Sequence, residues 1–297
     1  MKRIMTIQDI SCIGKCSLTV ALPIISAIGI ETAIVPTAVL STHTHFKGFT
    51  FRDLTDDLDP IKDHWKKEEF TFDAIYTGYL GSLRQVDLVL DYFRTFRTAS
   101  TITVVDPVMA DNGKLYAGFD ESFARKMLSL CSEADIILPN LSEASLLLGE
   151  PYPGEDASWE TSRSLLKKLA GLGCKVAVIT GVTLKDGSFG CMAYDNQTGT
   201  FSEYGNEKIP FKCHGTGDIF ASTFTGALVK GKNIQDALRI AADYTGACIR
   251  NSCNDPDRVD YGVNFEAEIP YLLKLISGSQ GQNLVCESTT QFWTFRP

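Results

Sequence analysis

The chain has 297 residues, 44% of them hydrophobic, and a formal net charge of −8 at pH 7. A chain of this length and composition can bury a large core, and it is expected to fold as one domain. Its negative charge, without a cluster of Lys and Arg, argues against a nucleic-acid surface. The nine cysteines are odd in number and include no Cys-x-x-Cys pair, which favours free thiols in a reducing compartment over a disulfide framework or a zinc site.

The amino-terminal segment does not resemble a secretory signal, because Gln8 and Asp9 end the apolar run too early. No stretch of the sequence approaches the length needed to cross a bilayer. The sequence therefore predicts a cytoplasmic protein that has no membrane or nucleic-acid partner.

Short β-rich runs alternate with helical patterns along most of the chain, which is typical of a mostly parallel sheet covered by helices. The predicted strands are Ile4–Ile7, Thr32–Pro36, Ala74–Thr77, Ile102–Val105, Ile136–Leu138 and Val176–Thr180. The predicted helices are Ser17–Ala27, Arg52–Lys67, Ser82–Phe96, Ser122–Leu130, Ser142–Leu148, Ser158–Leu169, Thr216–Val229, Ile234–Arg250 and Phe265–Ser277. Several of these helices open on a serine, which can cap free backbone amides.

The pattern changes around residues 187–204, where the β-rich runs Ser188–Tyr194 and Thr200–Tyr204 flank a polar, turn-rich segment. This arrangement predicts an antiparallel hairpin at one edge of the sheet. Residues 278–297 show no convincing period and are expected to form an irregular tail. The predicted fold is therefore a single α/β domain over residues 1–297, with a mostly parallel central sheet, helices on both faces and a small antiparallel edge hairpin.

The most informative segment is Gly215-Thr216-Gly217-Asp218, at the start of an apolar helix. Glycines let the backbone approach a phosphate closely, and a helix amino terminus offers free N–H groups and the positive end of a dipole. The segment is therefore a candidate anion hole. Asp218 is expected to stay ionised beside the dipole and to act as the base for an attacking hydroxyl. The alternative is an ordinary helix cap at Thr216 with a first-turn carboxylate at Asp218.

Several segments match known kinases in order across nearly the whole chain. The segment at 215–218 resembles the carboxyl-terminal signature of ribokinase-like kinases. Four other segments resemble the pyridoxal kinase branch of that superfamily: Ile7-Gln8, Ser41-Thr42-His43-Thr44, Thr77-Gly78-Tyr79-Leu80-Gly81 and Asp106-Pro107-Val108-Met109. In addition, residues 139–144 are similar to the Pro-Asn-x-x-Glu segment of that family, and residues 178–181 to its nucleotide-side strand.

The resemblance implies a ribokinase-like fold and ATP-dependent phosphorylation of the 5′-hydroxymethyl group of a vitamin B6 vitamer. It implies that Asp218 is the base and that Gly215, Thr216 and Gly217 supply the anion hole. The expected cofactors are ATP and Mg²⁺, with a monovalent cation such as K⁺ as an optional third. The expected partners are the small-molecule substrate and a second copy of the chain, since the resemblance and apolar segments near the sheet edge predict a homodimer.

On the nucleotide side, the resemblance assigns roles to Asp106, Asn140, Glu143, Thr180 and Gly181. The first three would organise Mg²⁺ and phosphate-bound water, with Asp106 and Glu143 holding the ion partly through water, and the last two would lie at the nucleotide phosphates. Mg²⁺ prefers hard oxygen ligands and keeps several waters, which suits this grouping. Without the resemblance, Asp106 and Glu143 would be interpreted as caps at a strand end and in the first turn of a helix.

On the substrate side, the resemblance implies that Tyr79 forms a wall of the pocket and that His43 and Thr44 lie near the ring. An ordinary half-buried aromatic is the alternative for Tyr79. The sequence departs from the commonest pyridoxal kinases at Asp9, where those proteins carry Ser. An ionised Asp only accepts hydrogen bonds, so it would pair with a protonated pyridine nitrogen or an amine and would favour pyridoxamine or pyridoxine. Asp218 completes the predicted substrate side.

The close alternative is a hydroxymethylpyrimidine kinase of thiamine biosynthesis, in which a Cys can stand where this chain has Asp218. A nicotinamide-dependent oxidoreductase would need Gly-x-Gly-x-x-Gly directly after a strand, whereas the first strand is followed only by Gly14. A non-catalytic ligand-binding protein would not need the base. Transfer of phosphate from ATP distinguishes a kinase from the last two classes.

Overall fold

The computed structural model describes residues 1–211 and 213–278 of the chain. Its strands are β1 (Arg3–Ser11), β2 (Glu31–Leu40), β3 (Phe51–Asp53), β4 (Ala74–Thr77), β5 (Ile102–Val105), β6 (Ala110–Asp111), β7 (Lys114–Leu115), β8 (Ile136–Ile137), β9 (Val176–Thr183), β10 (Phe189–Asp195) and β11 (Thr200–Asn206). Its α-helices are α1 (Leu18–Ala27), α2 (Thr55–Lys67), α3 (Leu83–Phe96), α4 (Glu121–Glu133), α5 (Leu141–Leu148), α6 (Trp159–Ala170), α7 (Thr216–Val229), α8 (Ile234–Asn254) and α9 (Ile269–Ser277).

Nine strands form one sheet in the order β11-β10-β9-β8-β5-β4-β1-β2-β3. Neighbouring strands from β9 to β2 are parallel, whereas β10, β11 and β3 each run antiparallel to the strand beside them. Strands β6 and β7 pair separately as a small hairpin. The predicted α/β fold with a mostly parallel sheet is confirmed, and the predicted edge hairpin is β10–β11.

One predicted helix begins too early. Arg52 was assigned to the second helix, but residues Phe51–Asp53 pair with β2 as a second antiparallel edge strand. The helix begins at Thr55, whose N–H donates to the carboxylate of Asp53 at 2.7 Å. A strand of three residues is too short to show an alternating pattern in the sequence, so it could not be separated from the helix that follows.

Helices cover both faces of the sheet, and each face has its own apolar core. In β4, the side chain of Ile75 joins the core that packs under α2 to α6. Its neighbours Ala74 and Tyr76 join the opposite core, which packs under α1, α7 and α8. This alternation across a sheet buried on both sides explains why the central strands are almost continuously hydrophobic.

The parallel strands place their carboxyl ends along one edge of the sheet, where ligands usually bind in open α/β folds. Most of the side chains predicted to be functional lie at this edge. The predicted tail, residues 278–297, lies outside the described residues except for Gly278. Within the described part of the chain, no helix is both long and apolar enough to span a membrane. The eight cysteines described there are free thiols, as predicted.

Candidate active site

Gly215 shapes the amino terminus of α7. It has φ 80° and ψ 1°, and a Cβ atom built on it would overlap the backbone carbonyl oxygen of Lys15. Both the dihedral angle and the contact require glycine. The N–H groups of the first turn of α7 have no acceptor within the helix, as at any helix start. This geometry suits the binding of an anion, and the anion hole at Gly215, Thr216 and Gly217 stays a prediction.

Asp218 lies in the first turn of α7. Burial raises the pKa of its carboxyl group to about 7, the backbone N–H of Ser17 lowers that pKa, and the charge of Asp9 raises it. The sequence-based expectation that the helix dipole alone keeps Asp218 ionised is therefore incomplete, because loss of water outweighs it. A carboxylate with a pKa near 7 is a stronger base than one in water and suits proton abstraction at neutral pH.

Asp106 and Glu143 bring two more carboxyl groups to this edge. Asp106 follows β5 and Glu143 lies in the first turn of α5, and both are buried. Burial raises the pKa of Asp106 well above its ordinary value, and the charges of Glu143 and Asp218 add to this effect. Burial also raises the pKa of Glu143 to about 7, although three backbone N–H groups lower it. The carboxyl groups that follow β5 and that lie in the first turns of α5 and α7 therefore interact electrostatically.

The side chains of Asn140 and Glu143 form several hydrogen bonds with the backbone of the protein. The carboxylate of Glu143 accepts the N–H of Met109 at 3.0 Å and that of Asn140 at 2.9 Å. The side chain of Asn140 accepts the N–H groups of Ser142 and Glu143, which completes a capping box at the start of α5. The capping interpretation of Glu143 is therefore supported. The roles of Glu143 and Asn140 towards Mg²⁺ and phosphate-bound water stay a prediction.

Asp106 fits Mg²⁺ better than Glu143 does. Of the groups that affect its pKa, only the N–H of Val108 favours the charged form, and the other contributions are burial and like charges. A divalent cation would compensate this buried negative charge. Within residues 1–211 and 213–278, no three His, Cys, Asp or Glu side chains form a metal site by themselves. The ion would thus take further ligands from phosphate oxygens and water, as Mg²⁺ commonly does.

The two residues predicted to lie at the nucleotide phosphates occupy the same edge. Thr180 forms an isolated parallel bridge with Asn140, and its N–H donates to the carbonyl of Pro139 at 3.2 Å. Gly181 follows with φ 71°, a conformation that favours glycine. The bridge places Thr180 and Gly181 beside the start of α5 and hence beside the acidic residues.

The predicted substrate side is built around Asp9, which is buried in β1. Its carboxylate accepts the hydroxyl of Ser11 at 3.5 Å. Burial raises the pKa of Asp9, and the hydroxyls of Ser17 and Ser11 lower it. Tyr79, half-buried after β4, has its pKa raised by burial and by the charge of Asp9. The charge of Asp9 therefore acts on both Tyr79 and Asp218, and this interaction links the predicted substrate side to the predicted base.

Three of the four histidines form a cluster beside the start of α7. The ring centroid of His214 lies 5.0 Å from that of His43 and 5.6 Å from that of His45. Burial and the two neighbouring imidazoles lower the pKa of His43 to about 4. Only His43 was predicted to lie in the site, together with Thr44, which is exposed on the same loop. The position of His214 directly before Gly215 is the sequence signal that could have identified it.

A family model described as phosphomethylpyrimidine kinase matches residues 25–260, well over half of the chain. The chain belongs to the phosphomethylpyrimidine kinase family. The predicted kinase class is thereby confirmed, and the protein is a phosphotransferase that acts on an alcohol group. The match sets aside the oxidoreductase alternative.

Two solved structures and one further relative are similar to this chain, each over a different part of its length. A Bacteroides thetaiotaomicron protein assigned as a phosphomethylpyrimidine kinase, in a crystal form with pyridoxal, is 39% identical with a TM-score of 0.86, covering 91% of this chain and 95% of that one. Pyridoxal kinase from Lactobacillus plantarum is 30% identical with a TM-score of 0.84, covering 95% and 100%. The thiamine biosynthetic bifunctional enzyme TH1 of Arabidopsis thaliana is 32% identical over 177 residues, 58% of this chain but only 32% of that enzyme. These neighbours confirm the resemblance to ribokinase-like pyridoxal kinases.

Proposed function

We propose that the protein transfers the γ-phosphoryl group of ATP to the 5′-hydroxymethyl group of a vitamin B6 vitamer, which gives the 5′-phosphate for pyridoxal 5′-phosphate salvage. The observation that carries the proposal is the placement of Asp218, with a pKa near 7, at the amino terminus of α7 and close to the buried Asp9. The similar structure with pyridoxal and the Lactobacillus plantarum pyridoxal kinase support a B6 substrate.

In the proposed reaction, the N–H groups of Gly215, Thr216 and Gly217 receive the phosphate charge at the start of α7. Asp218 accepts the proton of the substrate hydroxyl as the new O–P bond forms and the bond between the β- and γ-phosphates of ATP breaks. Asp106 would hold Mg²⁺, with Glu143 and Asn140 orienting water, and the ion when bound neutralises charge on the phosphates. Most of the rate enhancement then comes from positioning and charge neutralisation.

Asp9 would bind the ring or its amine. A buried carboxyl group with a raised pKa, whose partners are serine hydroxyls, gains most from a ligand that brings a positive charge. Tyr79 would form a wall of the pocket beside it, and the ring of Phe119 lies 5.6 Å from that of Tyr79. This environment favours pyridoxamine or a protonated pyridine ring.

The second candidate function is a hydroxymethylpyrimidine kinase, which the match to the phosphomethylpyrimidine kinase model favours. Both substrates offer a hydroxymethyl group on a nitrogen heterocycle, so the same base and anion hole would serve either one. Asp218 in place of the Cys of that branch, together with the buried Asp9, favours the B6 vitamers.

A substrate panel tests the proposed function. The purified protein is given radiolabelled ATP and Mg²⁺ with pyridoxal, pyridoxine, pyridoxamine or hydroxymethylpyrimidine, and kcat/KM is measured for each. We expect turnover of the B6 vitamers, with pyridoxamine or pyridoxine used at least as well as pyridoxal. Turnover of hydroxymethylpyrimidine alone would move the assignment to the second candidate.

The substitution Asp9→Ser is expected to change the preference among vitamers. Loss of the carboxylate removes a charge-assisted hydrogen bond, commonly about 1.5–3 kcal/mol, so kcat/KM for pyridoxamine should fall about tenfold or more relative to pyridoxal. The KM for ATP should stay unchanged. Asp87→Ser, which removes an exposed carboxylate from α3, is the matched control and should leave the ratio unaltered. Equal losses for all vitamers would show that Asp9 does not contact the ring or its amine.

We also propose that the protein acts as a homodimer. Strand β3 forms one edge of the sheet, and Phe51 on it is 51% exposed, which leaves an apolar side chain and unpaired backbone groups at that edge. Light scattering at micromolar concentration should give twice the monomer mass of 32.6 kDa. A mass that stays at the monomer value at all concentrations would contradict the proposal.

A further inference from the structure

Ser17, the residue before α1, does not act as the helix cap that its position suggests. Elsewhere in the chain such residues behave normally: Ser158 accepts the N–H of Thr161 at 3.1 Å, and Asn233 accepts that of Asp236 at 2.8 Å. The side chain of Ser17 makes no capping hydrogen bond, and its backbone has φ 50° and ψ −132°. A residue that carries a Cβ atom adopts a positive φ at a cost, and it keeps that conformation only where its surroundings impose it.

The surroundings of Ser17 are the two carboxyl groups at the centre of the proposed site. Ser17 is buried. Its hydroxyl lowers the pKa of the Asp9 carboxyl group, and its backbone N–H lowers the pKa of the Asp218 carboxyl group. One residue therefore connects the substrate-side carboxyl of β1 to the base of α7.

The packing of Gly215 shows that the loop before α1 contacts the turn before α7. A Cβ atom on Gly215 would overlap the carbonyl oxygen of Lys15 and would lie 3.8 Å from the Cα atom of Cys16. The chain just before Ser17 thus rests against the turn that opens α7. Helices α1 and α7, which begin at these two loops, also pack against each other.

We propose that Ser17 is a positioning residue for the proposed phosphoryl transfer, whose strained backbone directs its N–H at Asp218 and its hydroxyl at Asp9. This inference rests on the proposed function of those two carboxyl groups. If Ser17 adopted the usual capping geometry, its hydroxyl would turn towards the first amides of α1, and Asp9 would lose a donor. The orientation of the substrate relative to the base would then be less well fixed, which affects substrate binding more than ATP binding.

The substitution Ser17→Gly distinguishes a positioning role of Ser17 from a role in folding alone. Glycine adopts a positive φ without strain and keeps the N–H that faces Asp218, but it lacks the hydroxyl that faces Asp9. We expect a melting temperature equal to or above that of the parent, an unchanged KM for ATP, a kcat within threefold, and a KM for the vitamer raised about tenfold, as the loss of a hydrogen bond to a charged group predicts. Ser17→Ala should show the same rise in the KM for the vitamer. Its melting temperature should be lower than that of Ser17→Gly, because alanine keeps the backbone strain that glycine relieves.

Asn233→Gly is the matched control, since Asn233 caps α8 beyond the far end of α7, about 20 Å from Asp218 for a helix of this length. It should lower the melting temperature and leave all kinetic constants unchanged. The inference is overturned if Ser17→Gly has the kinetic constants of the parent, or if it melts below the parent. If the parent phosphorylates no B6 vitamer, the proposed function fails, while the same comparison of KM values with hydroxymethylpyrimidine still decides the role of Ser17.

Discussion

Replacing Asp218 by Asn should lower kcat by a factor on the order of 10²–10⁴, the usual contribution of a general base. The amide cannot accept the proton of the attacking hydroxyl, but it preserves the shape of the first turn of α7. Nucleotide binding depends on neighbouring backbone N–H groups and Mg²⁺, so ATP affinity should be retained. Calorimetry of ATP binding and a thermal melt establish that the variant is folded before turnover is measured.

The activity of the parent enzyme should also depend on pH through Asp218. Asp218 must be deprotonated to act as a base, and its pKa is raised to about 7. The kcat/KM of the parent should therefore increase as the pH rises through about 7 and decrease as the pH falls below it. The pH dependence of kcat/KM reports the pKa values of groups in the free enzyme. In Asp218→Asn this rise should be absent.

Asp236→Asn provides the control for Asp218→Asn. Asp236 is also a carboxylate in the first turn of a helix, α8, but it lies at the opposite end of α7 from the site. Its replacement should cost about 1 kcal/mol of stability or less and leave kcat unchanged. Turnover of Asp218→Asn within about threefold of the parent, well short of a general-base effect, would remove Asp218 from the mechanism and with it the main support for the proposed function.

Gly215→Ala should be nearly as damaging to activity, for a steric reason. A positive φ costs a residue with a Cβ atom about 1–2 kcal/mol, and the overlap with the carbonyl oxygen of Lys15 adds about 1–3 kcal/mol. To relieve the overlap, the turn before α7 must move away from the loop before α1, which displaces the N–H groups of the proposed anion hole. Loss of one such donor typically costs a factor on the order of 10²–10³ in kcat.

Gly231→Ala separates the steric effect from the backbone effect. Gly231 has a similar φ of 86°, but an added Cβ atom would meet nothing within 4 Å. It should therefore lose about 1–2 kcal/mol of stability in denaturant unfolding and keep full activity. A Gly215→Ala protein as active as Gly231→Ala would show that the turn before α7 does not hold the transferring phosphate.

Local sequence patterns predict the order and type of most elements, because hydrophobic periodicity and helix-start signals are local. Strands Ala74–Thr77 and Ile102–Val105 and helix Thr216–Val229 have the bounds that their patterns predicted. The glycines and Asp of the 215–218 motif also indicated an anion site at a helix start. Family resemblance then supplied candidates on the other strands, which a parallel sheet brings to one edge.

The surroundings of each candidate residue depend on tertiary packing. Asp9 and Asp218 are more than 200 residues apart in the chain, and their proximity through Ser17 follows from the packing of α1 against α7. Burial also raises the pKa of Asp218, which the helix dipole alone would have kept low. The backbone of Ser17 and the histidine cluster likewise depend on contacts between distant loops. Local sequence fixes the periodicity of an element, but burial and strain depend on which distant segments pack against it, and no short pattern encodes that.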